Sequence, residues 1–245
     1  MSLNDAIALA KSLCHEECMD LLLMQDPAAA KIPDDSFRYY TESSIRMGKE
    51  AANALLTSCG ARPGHIGMEI WARLCAEACG VRVQCVKENS DRGFGLEIAA
   101  NTVFEQGTCT VVLNEDLISE KYECTKEIPE IGESGVDQML SLHLAHEYFH
   151  CLEYLKNGRV YRLLKPARKA GFLGIRECRI RAASEIAAHT FANEVMKSAV
   201  PPPVIDYLTM LRRGELSPEV LEELVTNMRR KREKVTRPAA VEFAM

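Results

Sequence analysis

The chain has no apolar run approaching the ~20 residues of a membrane-spanning helix, and its N-terminus lacks a basic segment leading into a signal-type apolar stretch. Those two absences argue against a membrane protein and make a cytoplasmic chain the expectation. Cys-x-x-Cys pairs are also missing. The ten cysteines, at 14, 18, 59, 75, 79, 85, 109, 124, 151 and 178, are scattered through apolar patterns. Free buried thiols are therefore expected, rather than a disulfide framework or a structural zinc ribbon. Cys14–Cys18 and Cys75–Cys79 keep an i, i+4 spacing that a metal could use, but neither has the short pairing of structural sites. An excess of positive charge is lacking as well: 30 basic residues face 35 acidic ones, a net charge of −5, which disfavours a general nucleic-acid binder. There is no internal repeat and no extended low-complexity tract.

What remains is an ordinary globular composition of 245 residues, 47% hydrophobic and 27% charged, enough for one large domain or two small ones. Helical spacing of apolar residues predicts a helix over 3–25. A second runs from a cap at Asp35 or Ser36 to about Thr57, ended by Gly60 and Pro63, and a third covers Ile66–Ala78. The period then changes. Val81–Val86 alternates as a half-buried strand does, Gly93–Ala100 is a second strand, and Thr108–Leu113, introduced by Gly107, is a third. Residues 118–135 are polar, with Pro129, Gly132 and Gly135, and are expected to form a loop. Helices follow over about 137–156 and 180–198. The Pro201–Pro203 run breaks the chain before two short helices at 204–213 and 217–232 and a frayed basic tail opening at Arg229. Between residues 156 and 181 nine basic residues face a single acid, Glu177, a pattern that fits a solvated linker or a docking surface.

The most informative stretch is Leu142-His143-Leu144-Ala145-His146-Glu147-Tyr148-Phe149-His150-Cys151-Leu152-Glu153, which contains His-Glu-x-x-His. Residues four apart share a helix face, so His146 and His150 can reach one ion. Glu147, about 100° round the axis, can reach a water beside that ion rather than the ion itself. The helix is apolar on almost every side, and its ionisable residues, His143, His146, Glu147, His150 and Glu153, fall within an arc of roughly 120°. A polar stripe on a buried helix is costly unless paired or metal-bound.

A third ligand must come from elsewhere. His143 to His150, and His146 to Glu153, each span about 10.5 Å of helix rise, too far for three donors to converge from one straight helix. The next long helix offers Glu185 and His189, four apart on one face and flanked by alanines. Spacing alone leaves open whether Glu185 is a ligand or an exposed helix carboxylate.

This pair of helices resembles the gluzincin metallopeptidases. The stretch Glu185-x-x-Ala188-x-x-Phe191-Ala192 is similar to the glutamate segment of the ImmA/IrrE family of zinc peptidases, and the order of elements over roughly 50–200 is similar too. The resemblance implies an α+β fold: a mostly helical zincin-like domain with a small three-stranded sheet, a His-Glu-x-x-His helix and a following glutamate helix. It implies a Zn²⁺ cofactor held by His146, His150 and Glu185, with Glu147 as the catalytic carboxylate. It further implies hydrolysis of a peptide bond in a selected intracellular protein, such as a regulator. The chain departs from the family in carrying His189 where Asn is common, in the bulk of Tyr148-Phe149, and in a longer 151–184 interval. It shows no helix-turn-helix motif.

His189, Tyr154 and Tyr161 are the candidates for a second-shell group or an oxyanion donor, and Thr108–Asn114 is the candidate sheet edge for an extended substrate. The expected division is an N-terminal helical segment over 1–62, the zincin-like unit over 63–200, and C-terminal helices with a basic tail over 201–245. Two alternatives stand beside the peptidase: a metal-stapled regulatory or partner-binding protein that cleaves nothing, and a nucleic-acid or partner-docking module using the basic segments.

Overall fold

A computed structural model describes residues 1–78, 80–87, 98–133, 135–171 and 174–236. The fold is α+β and mostly helical, with a three-stranded mixed sheet. The segment expected to be one N-terminal helix is two, α1 (Leu3–Lys11) and α2 (His15–Gln25). The Ser12 hydroxyl caps the end of α1 by donating to the Leu9 carbonyl, and the Cys14 amide donates to Glu17 at the start of α2. Local capping chemistry thus overrides a continuous apolar pattern.

Helix α3 (Phe37–Cys59) ends at Gly60, whose φ of 62° places it in the left-handed region that closes helices. After α4 (Met68–Glu77) come β1 (Val81–Val86), β2 (Ala100–Glu105) and β3 (Thr108–Asn114). Residues 93–97 of the expected second strand lie outside the described residues, and the strand that pairs starts at Ala100. Gln106 and Gly107, both at positive φ, make the two-residue turn between β2 and β3. Strand β3 pairs parallel with β1 and antiparallel with β2. It is therefore the centre of the sheet, and the substrate edge expected at Thr108–Asn114 is not an edge. Among the described residues, the edge strand next to the His-Glu-x-x-His helix is β2. Its Ala100, Thr102 and Phe104 are half-buried, while Asn101, Val103 and Glu105 are exposed.

Residues 118–135 are not a loop. Asn114 accepts the Leu117 amide at 3.2 Å and caps α5 (Glu115–Thr125), which buries Leu117, Ile118 and Thr125. A short helix α6 (Pro129–Gly132) follows. The polarity of this stretch is that of an exposed helix face. The motif helix α7 spans Gly135–Leu152 and then widens into a π-type turn over Glu153–Asn157, closed by Gly158 at φ 74°.

The basic interval after it is also structured: α8 (Val160–Leu163) and an antiparallel hairpin, β4 (Ala167–Gly171) with β5 (Gly174–Cys178). Helix α9 spans Ala182–Met196. Helices α10 (Pro202–Arg212) and α11 (Pro218–Thr236) complete the described fold. The run at 229–232 is not a frayed tail. It belongs to α11, where Arg229 pairs with Glu17 at 2.8 Å, Arg232 with Asp20 at 3.4 Å and Lys231 with Asp34 at 3.8 Å. Among the described residues no helix is long and apolar enough to cross a membrane.

The centre of the molecule is the packing of α9 between α3 and α7. Ala183, Ala187, Ala188 and Ala192 are fully buried, and they let the neighbouring backbones come close. A Cβ on Gly48 of α3 would run into the Ala187 carbonyl oxygen and lie 2.9 Å from the Thr190 Cβ. Gly48→Ala is therefore expected to push α3 from α9, costing about 1–3 kcal/mol as an overpacked core does. Urea unfolding with the midpoint read by circular dichroism checks this; an unchanged midpoint would show that the crossing yields freely.

Candidate metal centre

Helix α7 turns His146 and His150 to the same side, and α9 brings Glu185 opposite them. His146 Nε2 lies 3.3 Å from Glu185 Oε2 and 3.3 Å from His150 Nε2, and His150 Nε2 lies 3.5 Å from Glu185 Oε1. Two donors each about 2.0–2.1 Å from a tetrahedral ion are separated by about 3.3 Å. The three side chains thus stand at the separations such an ion requires. His189, one turn after Glu185, completes an overlapping group: ligand atoms of His146, Glu185 and His189 lie within 4.8 Å of one another and could hold a metal ion. The two sets share His146 and Glu185. In the first, a different Glu185 oxygen faces each imidazole, Oε2 toward His146 and Oε1 toward His150.

The surroundings fix the ligand orientations. Glu153, the first residue of the π-type turn, is 1% exposed. It accepts from His150 Nδ1 at 3.0 Å, Ser184 Oγ at 2.5 Å and the Val160 amide at 2.7 Å, with Arg159 at 3.4 Å. A carboxylate behind a ligand imidazole sets its tautomer and aims the other nitrogen inward. Burial alone would raise the Glu153 carboxyl, but these bonds from His150, Ser184 and Val160 hold it below the usual range. Burial alone would likewise lower His150, yet Glu153 and Glu185 on either side push it up to about 10. Glu185 is held low by His146 and His150 against the opposing effect of burial. A proton and a cation compete for the same inward positions in such a cluster.

Burial, aided by the nearby His146, pushes His189 down to about 3 and keeps its imidazole neutral. Its ring packs edge-on to His146 at 4.4 Å, with Nδ1 buried and without a hydrogen-bond partner among the described residues. Burial and the Lys121 ammonium push His143 down to about 4. Its Nδ1 meets the Met139 carbonyl at 2.9 Å, on the far side of the stripe from Glu153.

Glu147 is buried beside the ligands, and Thr102 of β2 donates to its Oε2 at 2.7 Å. Thr102 has no place in the motif. Only the Gln106-Gly107 turn signal, by fixing the register of β2 on β3, could have pointed to the strand that carries it. Two cavities meet at Ala100, His146 and Glu147. One, of about 650 Å³, extends past His189 and Leu142 to α10, and the other, of about 470 Å³, past Glu185 and Tyr161 to Arg181. Tyr161 borders the second cavity. Tyr154 borders neither; it is 41% exposed and stacks on Phe104 at 4.7 Å.

No family model, no curated protein and no solved structure matches the chain. The geometry alone describes the site. Among the described residues no metal-competent group forms around Cys14 and Cys18, and the described cysteines are free thiols.

Metal analysis of the full chain after zinc loading is expected to give about one ion per molecule, sharply reduced in Glu185→Ala. Glu153→Gln is expected to weaken affinity about 10–100-fold by releasing His150, read by competition with a chromophoric chelator. His189→Ala separates the two overlapping sets. Near-normal affinity assigns the ion to His146, His150 and Glu185, whereas a loss as deep as that of Glu185→Ala assigns it to the group containing His189.

Proposed function

We propose that the chain is a zinc-dependent peptidase of the gluzincin type, with His146, His150 and Glu185 as ligands and Glu147 as the general base. The observation that carries this reading is the convergence of those three side chains, their donor atoms 3.3–3.5 Å apart, with the Glu147 carboxylate beside them at the junction of two cavities. A structural metal site needs neither the extra carboxylate nor the open cavities. The resemblance of the Glu185–Ala192 segment to the ImmA/IrrE family supports the same reading and suggests a selected intracellular protein as the substrate.

Zinc at such a site supplies a water of lowered pKa and a positive charge against the scissile carbonyl. The protein supplies the rest. Thr102 holds one oxygen of Glu147, leaving Oε1 to take the proton of the attacking water and return it to the departing amine. The developing oxyanion needs a donor from the protein. Tyr161, which borders one cavity, and His189, which borders the other, are the candidates for it. Tyr154, turned onto Phe104, is not retained in that role. An extended peptide can add to the free edge of β2 beside the ligands. A nucleic-acid role is disfavoured by the pairing of Arg229, Lys231 and Arg232 with acids of α2 and of the turn before α3.

Incubation of the zinc-loaded chain with a peptide library, read by mass spectrometry, is expected to show cleavage that a chelator stops and zinc restores. Glu147→Gln is expected to keep the metal and lose about 10²–10⁴-fold in rate. A loaded wild type that cleaves nothing while holding its ion would instead identify a metal-stapled binding protein.

A further inference from the structure

The two cavities that meet at His146 and Glu147 differ in charge. In the larger one, on the His189 side, the charges are mutually satisfied. Lys121 pairs with Asp206 at 2.6 Å and Arg213 with Glu215 at 2.7 Å, and the intervening wall is Leu142, Ile205 and Met210. On the Glu185 side the balance is different. Arg181, at the N-terminal end of α9, is exposed, borders the cavity and makes no ion pair among the described residues. Arg159 stacks on Phe104 at 4.4 Å and, among the described residues, ion-pairs only with Glu153, whose carboxylate is already shared by His150, Ser184 and Val160. The Tyr161 hydroxyl borders the same cavity with no hydrogen-bond partner among the described residues. Once Glu185 serves a cation, this side of the groove carries a surplus of positive charge and unused donors, within a chain whose net charge is −5.

We infer that the groove is polarised: the substrate is a peptide that places a carboxylate against Arg181 and Arg159 on the Glu185 side, and a bulky apolar side chain in the cavity on the His189 side. This rests on the peptidase reading and narrows its substrate class. The carboxylate can come from an Asp or Glu side chain or from a free C-terminus. Either would meet the planar guanidinium of Arg181, which makes no ion pair among the described residues and is free to form charge-assisted hydrogen bonds. The apolar residue would meet a wall whose charges offer no unpaired group to an uncharged guest.

The test uses the full-length, zinc-loaded Glu147→Gln protein, so that binding is read without turnover. Fluorescence anisotropy is measured with labelled peptides carrying a central Leu or Phe flanked on one side by Asp/Glu, Asn/Gln or Lys, each with a free or an amidated C-terminus. The acidic peptides are expected to bind roughly three- to tenfold tighter than the neutral ones, with an advantage that shrinks as salt rises. Adding Arg181→Glu is expected to remove or reverse that order, and Arg181→Lys to keep part of it. If amidation abolishes the advantage the carboxylate is the terminus; if it does not, the carboxylate is a side chain. Equal binding of acidic, neutral and basic peptides, a preference that survives Arg181→Glu, or no binding by any peptide overturns the inference. Failure of the zinc-loaded wild type to cleave peptides that this variant binds with acidic preference would count against hydrolysis alone and leave the polarised groove standing.

Discussion

Glu153 and His150 form a buried charged pair at the end of α7, and α9 helps to satisfy it. Left unmatched, each would lose hydration worth several kcal/mol. Packed together, they satisfy one another. Glu153 is the hub: it takes a proton donor from α7 itself, one from Ser184 on α9 and one from the Val160 backbone. The π-type turn over Glu153–Asn157 lies where the helix gives up regular winding. It is followed at once by Gly158 and by the segment that returns the Val160 amide to the carboxylate.

That electrostatic match only works because the backbones are close. The alanines of α9 and Gly48 of α3 keep the helix–helix separations small, so that Glu185 can stand 3.3 Å from His146. On the other side of α7 the sheet supplies rigidity of a different kind. Cys109, Val111 and Leu113 of β3 are buried, and β2 puts Thr102 against Glu147. Glu147 and the His146–Glu185 pair are thus held by two separate supports, a strand and a helix, and the two cavities meet between them. The two cavities differ in that Lys121 and Arg213 of one are ion-paired, whereas Arg181 of the other makes no ion pair among the described residues.

Much of this was legible in the chain. Helices α3, α4, α7, α9, α10 and α11, the strands at 81–86 and 108–113, and the breaks at Gly60 and Pro201 follow from period and from turn chemistry, which are local properties. Residues 118–135 have the sequence of a loop because an exposed helix face and a loop share the same polarity, and only burial, as of Leu117 and Ile118 in α5, separates them. The helix over 3–25 divided because side-chain caps at Ser12 and Cys14 competed with a continuous apolar pattern. The basic run at 229–232 was misjudged as a tail because its partners, Glu17, Asp20 and Asp34, are distant in sequence.

The sequence by itself determined that His146 and His150 share a helix face with Glu147 beside them, since a spacing of four on an α-helix permits nothing else. It also determined that the third donor had to come from another element. Which side chains converge, and at what separation, was decided by the tertiary structure. So was the assignment of Glu153 to the back of His150, of Thr102 to Glu147, of β2 rather than β3 to the free edge, and of unpaired charge to one arm of the groove. Each of these joins residues from different elements, and their meeting depends on how α3, α7, α9 and the sheet pack, a property of the assembled core rather than of any stretch of chain.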